Sequence, residues 1–425
     1  MNDIVFSTVH AGYAPLLEQY AEFQTIAAQL QKSILESTNS GYDVAGVPFA
    51  EHKQLLKCIQ QQREYKPDLL LVVGIGGSAA GSQALYQALY GTYNDNSPQV
   101  LWIDTIDAVK TYDHYQIASN ALRNKKKIVL IIISKSGTTT ETIANAALFL
   151  ELFKTHDSTY KQHTYIITDQ NSALWHFASS ELIECLDIPL SIGGRFSVFT
   201  AVGLLPLGIA GASVDAILEG ARQATYDGTQ LNEENDALTH ALIRLHYYKN
   251  QIHIHDFFAL SPSFTEMGQW YRQLMGESLG KTDAQENPVG LTPTVSVGSN
   301  DLHSVAQLYL GGPSVRYTTF IDGSATRPQL AIPDNALAHL VKGISNKPLL
   351  ALHNALSKGI IGAYTNQQLP FSYVDLDVVN ETSLGYYMQT CMLEIIYLAH
   401  GMGVNAFNQP HVELYKKETR RVLES

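Results

Sequence analysis

Residues Ile128 to Ile133 (IVLIII) are six aliphatic side chains in a row, followed at once by Ser134 to Thr142 (SKSGTTTET) and then by the helical stretch Ile143 to Leu150. A strand with no polar alternation has no face to give to water, so it must lie between two layers, as in a parallel sheet covered by helices. The rhythm of apolar run, turn residues and helix recurs along the chain. Leu69 to Val73, Val100 to Ile103, Ile128 to Ile133 and Thr164 to Ile167 are expected as strands of one sheet. Asp256 to Leu260, Thr294 to Val297, Tyr317 to Ile321 and Tyr373 to Val378 are expected as strands of another. The fold class is therefore α/β, with two doubly wound parallel-sheet domains.

The polar stretch around Gly220 to Asn235 is the expected boundary between them. The division predicted is an N-terminal helical extension over 1–45, a first α/β domain over 46–225, a second over 226–382 and a C-terminal helical segment over 383–425, with the extensions packing across the domains. At 425 residues, 45% hydrophobic and 16% charged, the chain can bury more than one core, which excludes a disordered or fibrous protein.

Cys58, Cys185 and Cys391 are odd in number and widely spaced, which fits small core residues in a reducing compartment. The opening residues Met1 to Ser7 lack a signal peptide's features, and the apolar run Ile128 to Ile133 is far short of the ~20 residues of a membrane span. A cytoplasmic location with no membrane partner is expected. The net charge of −12 argues against nucleic-acid binding and means that a phosphorylated ligand has to be held by local design.

Two turns offer such a design. After Leu69 to Val73 come Gly74, Gly76 and Gly77, which let backbone N–H groups approach an anion, and Ser78, which adds a hydroxyl at a helix start. A dinucleotide site would want an acidic residue about 20 positions on, and Asp104 comes roughly ten too late. The second turn places six hydroxyls (Ser134, Ser136, Thr138, Thr139, Thr140 and Thr142) and Lys135 at a strand-to-helix junction. One hydroxyl would be an ordinary cap; six suit a phosphate dianion.

Further along stand four more patterns: Gly193-Gly194-Arg195, the pair Gln273 and Glu277 four apart on one helical face, His303 just beyond a strand, and Gln409 followed by Lys416. By itself, a pair such as Gln273–Glu277 is more often a solvated helix face than a site, and Lys416 alone reads as a surface lysine. Trp270 and Met275 could shield the Glu277 carboxylate and raise its pKa toward a general base's range.

In this order the motifs resemble the glucose-6-phosphate isomerase family of the sugar isomerase superfamily, whose paired flavodoxin-like domains bind phosphosugars through Ser/Thr-rich loops. The resemblance covers nearly the whole chain. It implies a hexose 6-phosphate substrate, no cofactor and no metal. The phosphate would bind Ser78, Ser134, Ser136 and Thr139, supported by Lys135 and Thr142, with Gly77, Gly194, Gln273 and Gln409 also contacting substrate. His303 and Lys416 would open the sugar ring, Glu277 would move a proton between C2 and C1, and Arg195 would stabilise the enediolate. His303 would come from the neighbouring subunit, which implies a homodimer.

The chain departs from longer relatives at Ala79-Ala80, where they have Asp-Leu, and at Gly276 and Leu279 around the glutamate, as in the shorter bacterial branch. Three rival readings stand beside this one. A metal-dependent hydride-shift isomerase would need ligands such as His253 and His255. A regulatory sugar-phosphate sensor would lack the Gln273–Glu277 and closing-lysine motifs. An aminosugar-forming relative would need an N-terminal glutaminase domain.

Overall fold

The computed structural model describes residues 13–91, 98–323 and 330–424. Its strands are β1 Leu69–Val73, β2 Gln99–Ile103, β3 Ile128–Ile133, β4 Thr164–Thr168, β5 Glu184–Asp187, β6 Ile254–Ala259, β7 Lys281–Thr282, β8 Pro288–Val289, β9 Thr292–Val297, β10 Arg316–Gly323 and β11 Phe371–Leu376. β7 and β8 form a short antiparallel pair; the others form two wholly parallel sheets, in the orders β2-β1-β3-β4-β5 and β11-β10-β6-β9.

Numbered within each sheet, both windings read alike: the first strand lies between the second and the third. The first sheet is 2-1-3-4-5, the flavodoxin-like order. Where the winding reverses, beside the first strand, the loops at the carboxyl ends part and leave a crevice for ligands. In the first sheet that crevice lies between the turns after β1 and β3, the glycine-rich and hydroxyl-rich turns.

β1 and β3 hold the centre because every residue in them is buried on both faces, with Leu71 paired to Leu101 on one side and Leu130 on the other. Differences from the expected strands fall at edges. β5 is absent from the sequence expectation, because Leu186 is its one fully buried side chain and it carries no apolar run. β6 begins at Ile254, and β11 runs from Phe371 to Leu376 in place of Tyr373 to Val378. Of the polar stretch at Gly220 to Asn235, the first part completes the helix Val214–Asp227 and the rest leads into the helix Asp236–Lys249.

The helix Glu381–Gly401 is buried all round, with 16 of its 21 residues inside, which marks a core element and not an outer layer. It packs on Val214–Asp227, Asp236–Lys249 and Thr265–Leu279. Inside, Arg244 pairs with Glu394 at 3.2 Å, and Tyr271 donates to the same carboxylate at 2.6 Å, so the buried charges are matched and hydrogen-bonded. Tyr271 belongs to Thr265–Leu279, the helix that carries Gln273 and Glu277. That helix follows β6 and packs against Ala80–Tyr90, the helix that follows β1. The first crossover of one sheet thus meets the first crossover of the other. Among the described residues, no helix is long and apolar enough to cross a membrane.

Candidate active site

The turn after β3 opens a helix, Thr140–His156, at whose N-cap Thr139 makes no side-chain capping bond. The hydroxyls bond one another instead: Ser134 donates to Thr139 Oγ1 at 3.1 Å, and Ser136 and Thr139 lie 3.2 Å apart. Thr139 itself therefore does not cap this 17-residue helix, although the Ser136 hydroxyl accepts from the Thr138 backbone N–H at 3.3 Å. Lys135 reaches across to the carbonyls of Leu190 and Ile192, at 2.7 and 2.8 Å, and so ties this turn to the segment entering Gly193. Burial lowers its pKa, against the attraction of Asp169.

The turn after β1 meets the Gly193–Arg195 turn at backbone distance. A Cβ on Gly77 would lie 2.2 Å from the Gly194 carbonyl carbon and 2.5 Å from the Arg195 nitrogen, so only a glycine lets the two turns touch. Arg195 leaves this junction into the interior, its side chain 1% exposed. Each of its five donors has an acceptor: Nε on Ser278 Oγ (2.8 Å), one terminal nitrogen on Glu277 Oε2 (3.1 Å) and Gln409 Oε1 (3.2 Å), the other on the carbonyls of Ala406 (2.5 Å) and Asn408 (3.3 Å). Burial lowers its pKa, and the Glu277 carboxylate opposes that. Trp270 donates its indole N–H to the Arg195 carbonyl at 3.2 Å and holds the backbone as well.

Glu277 is thereby held at both oxygens. Oε2 faces Arg195, and Oε1 accepts from Gln273 Nε2 at 2.8 Å, the i, i+4 contact that the spacing implies. Its side chain remains 30% exposed, open to a cavity of ≈ 700 Å³. That volume lies within the range of small-molecule sites.

Gly77, Ser78, Lys135, Ser136, Thr139, Gly194, Arg195, Gln273, Glu277, Gln409 and Lys416 line this one cavity. Lys416 comes from the otherwise exposed helix Val412–Leu423 and is paired with Glu413 at 2.8 Å. Three named residues lie outside the wall. Ser134 is buried behind Thr139, and Thr142 points into the packed side of its helix, 2% exposed and with its hydroxyl unpartnered among the described residues. His303 is exposed on the turn Asn300–His303 and does not reach the cavity of its own chain.

Sequence reasoning missed other parts of the wall, among them Asp169, Asn171, Phe407 and Glu413, and the supporting Ser278. Ser278 had a signal, since it adjoins the glutamate in sequence. The carbonyls of Ala406 and Asn408 had none, because every residue carries one. Among the described residues, no group of three or more His, Cys, Asp and Glu is placed to hold a metal ion. The pair that a metal-dependent isomerase would need is split: His253 is exposed, while His255 is buried against Arg244 and bonds Thr319 at 2.9 Å.

The model of the phosphoglucose isomerase family matches residues 66–360. A glucose-6-phosphate isomerase of Thermus thermophilus is 32% identical over 422 residues, covering 98% of this chain and 97% of its own. One from Methanocaldococcus jannaschii is 32% identical over 361 residues, covering 83% and 84%. Among solved structures, a Thermus thermophilus protein described as hypothetical superposes with a TM-score of 0.83 at 30% identity, covering 96% of this chain and 97% of that one. A glucose-6-phosphate isomerase of Chlamydia trachomatis shares the fold, with a TM-score of 0.77 at 18% identity, covering 96% of this chain and 85% of that one.

Proposed function

This chain belongs to the phosphoglucose isomerase family, and we infer that it interconverts D-glucose 6-phosphate and D-fructose 6-phosphate, an isomerase step of glycolysis and gluconeogenesis. One observation carries the mechanistic reading: a carboxylate held by a buried guanidinium lines the same cavity as an uncapped, hydroxyl-rich helix start. The phosphate sits at the turns after β1 and β3, on Ser78, Ser136, Thr139 and the first-turn amides. That anchor lays the sugar carbons along Glu277. Lys416 protonates or deprotonates ring oxygens as the cyclic form opens. Glu277 takes the C2 proton of the open aldose and returns it to C1, the electron pair passing through an enediolate while the O2 hydroxyl proton moves to O1, so that C2 becomes the carbonyl carbon and C1 carries the hydroxyl. Arg195, already fixed by its acceptors, stabilises the enediolate charge without reorganising. The route is a proton transfer and calls for no metal or cofactor.

The same reading makes the protein a homodimer, with His303 of each chain completing the other's site. Two features support it. His303 is exposed away from its own cavity, and the stretch after β10 leaves Leu330, Leu337, Leu340 and Val341 more than half exposed, an apolar surface of the kind that associates. It also places the chain in the cytoplasm, in keeping with the free thiols of Cys58, Cys185 and Cys391.

The test is to add purified protein to fructose 6-phosphate in excess chelator and follow glucose 6-phosphate. Sustained formation is expected. A reaction that appears only when a divalent metal is restored would overturn the proton-transfer route.

A further inference from the structure

Lys281, four residues beyond Glu277, is an ionisable side chain that the reaction above does not use. Lys281 stands in β7, just past the end of the helix bearing Glu277, and its residue is only 8% exposed. Its Nζ donates to the carbonyl of Asn405. One residue further on, the Ala406 carbonyl accepts from Arg195, as does that of Asn408, and Gln409 offers its side-chain oxygen to the same guanidinium. Two inward cations therefore grip one short loop. That loop presents Gln409 to the cavity and leads directly into the helix that carries Lys416.

We infer that Lys281 is a positioning residue for the isomerase reaction: its ammonium fastens the 405–409 loop against the end of the Glu277 helix and so holds Arg195, Gln409 and the carboxylate in one geometry. This rests on the reading of the cavity as the isomerase site. The charged groups facing Lys281 are Arg195, from the turn Gly194–Phe196, and Glu277, one turn back on the adjoining helix; the loop itself offers a carbonyl.

Burial, with repulsion from Arg195, brings the lysine's pKa down to about 8, and Glu277 acts in the opposite sense. A cation whose pKa is depressed on folding weakens the fold at neutral pH, where the unfolded chain would hold that proton more tightly. Such a group is a poor choice for stability alone. Below about pH 8 it is an ammonium; above, it is a neutral donor with a weaker hold on the carbonyl and no charge beside Glu277.

The experiment measures kcat and KM for fructose 6-phosphate across about pH 6 to 10 for the wild type, Lys281→Gln and Lys281→Arg, with melting temperatures alongside. The wild type should lose kcat with a midpoint near 8. Lys281→Gln should lower kcat ~10- to ~100-fold at neutral pH with KM near the wild-type value, and should lack that midpoint. Lys281→Arg should keep most of the activity and carry it past the wild-type midpoint, since a guanidinium stays charged throughout. A merely structural lysine would lower the melting temperature and leave the midpoint in place. The inference is overturned if the wild type shows no loss near that pH, a result independent of whether the variants fold, or if Lys281→Arg keeps the wild-type midpoint. A wild type that does not turn over fructose 6-phosphate at all is a different result: it removes the isomerase reading of the cavity, and this inference with it.

Discussion

Glu277 has unlike neighbours at its two oxygens, a guanidinium at one and a primary amide at the other. Both neighbours donate, so the ionised carboxylate satisfies both without choosing between them, while a glutamine in its place can accept at only one atom and has no basic oxygen for a C–H proton. Lys135 bonds the carbonyls of Leu190 and Ile192 and the turn's hydroxyls bond one another, none of them Glu277, so that change should leave them in place. Glu277→Gln should therefore cut turnover by at least ~10²-fold, up to ~10⁴-fold, while calorimetric titration with glucose 6-phosphate returns nearly the wild-type affinity. Near-normal turnover would remove Glu277 from its role. The pairing with Gln273 was readable in the sequence because helical spacing fixes which side chains stack. The hold on Arg195 was not, because its acceptors are mostly backbone carbonyls and a serine hydroxyl, and none of these announces a partner. Thr142 shows the converse limit: a hydroxyl-rich run marks the turn, but once the helix has begun, its rotation decides which hydroxyls face the ligand.

Between elements, the tightest constraint is the meeting of the Gly76–Ser78 and Gly194–Phe196 turns. A methyl on Gly77 would stand within 2.5 Å of the Arg195 nitrogen, and backbone atoms cannot swing aside as a flexible side chain would. Gly77→Ala should cost about 1–3 kcal/mol of stability, measured as a lower midpoint of urea unfolding. It should also reduce turnover, because the arginine's backbone must shift with the turn. Unchanged unfolding and unchanged turnover together would show that the turns can part freely. The glycines were visible in the sequence as permissive positions, but that they pack on each other and not only on a ligand needed the fold. The strands divide in the same way. β1 and β3 are legible because burial on both faces makes them continuous apolar runs, while β5 lies at the sheet's edge, where Glu184 and Asp187 face outward, and so reads as loop.

At the scale of the whole molecule, the cavity draws on remote parts of the chain. The first sheet supplies the turns after β1 and β3, the helix after β6 supplies Gln273 and Glu277, and the chain's last 20 or so residues supply Gln409 and Lys416. His303, on the turn Asn300–His303 that follows β9, is exposed outside this cavity. If it serves a neighbouring chain, each site of a dimer contains Glu277 from one subunit and His303 from the other, and two inactive proteins can repair each other. Glu277→Gln and His303→Ala homodimers each have two damaged sites. In a mixed dimer one site combines both substitutions, and the other has both native residues. Random re-association from a denatured mixture makes half of the dimers mixed, so about one quarter of all sites should be native. Refolding the two variants together should then restore about one quarter of wild-type turnover, well above either alone. Were His303 to act within its own chain, every site in the mixture would lack one of the pair, and activity would stay at the level of the separate variants.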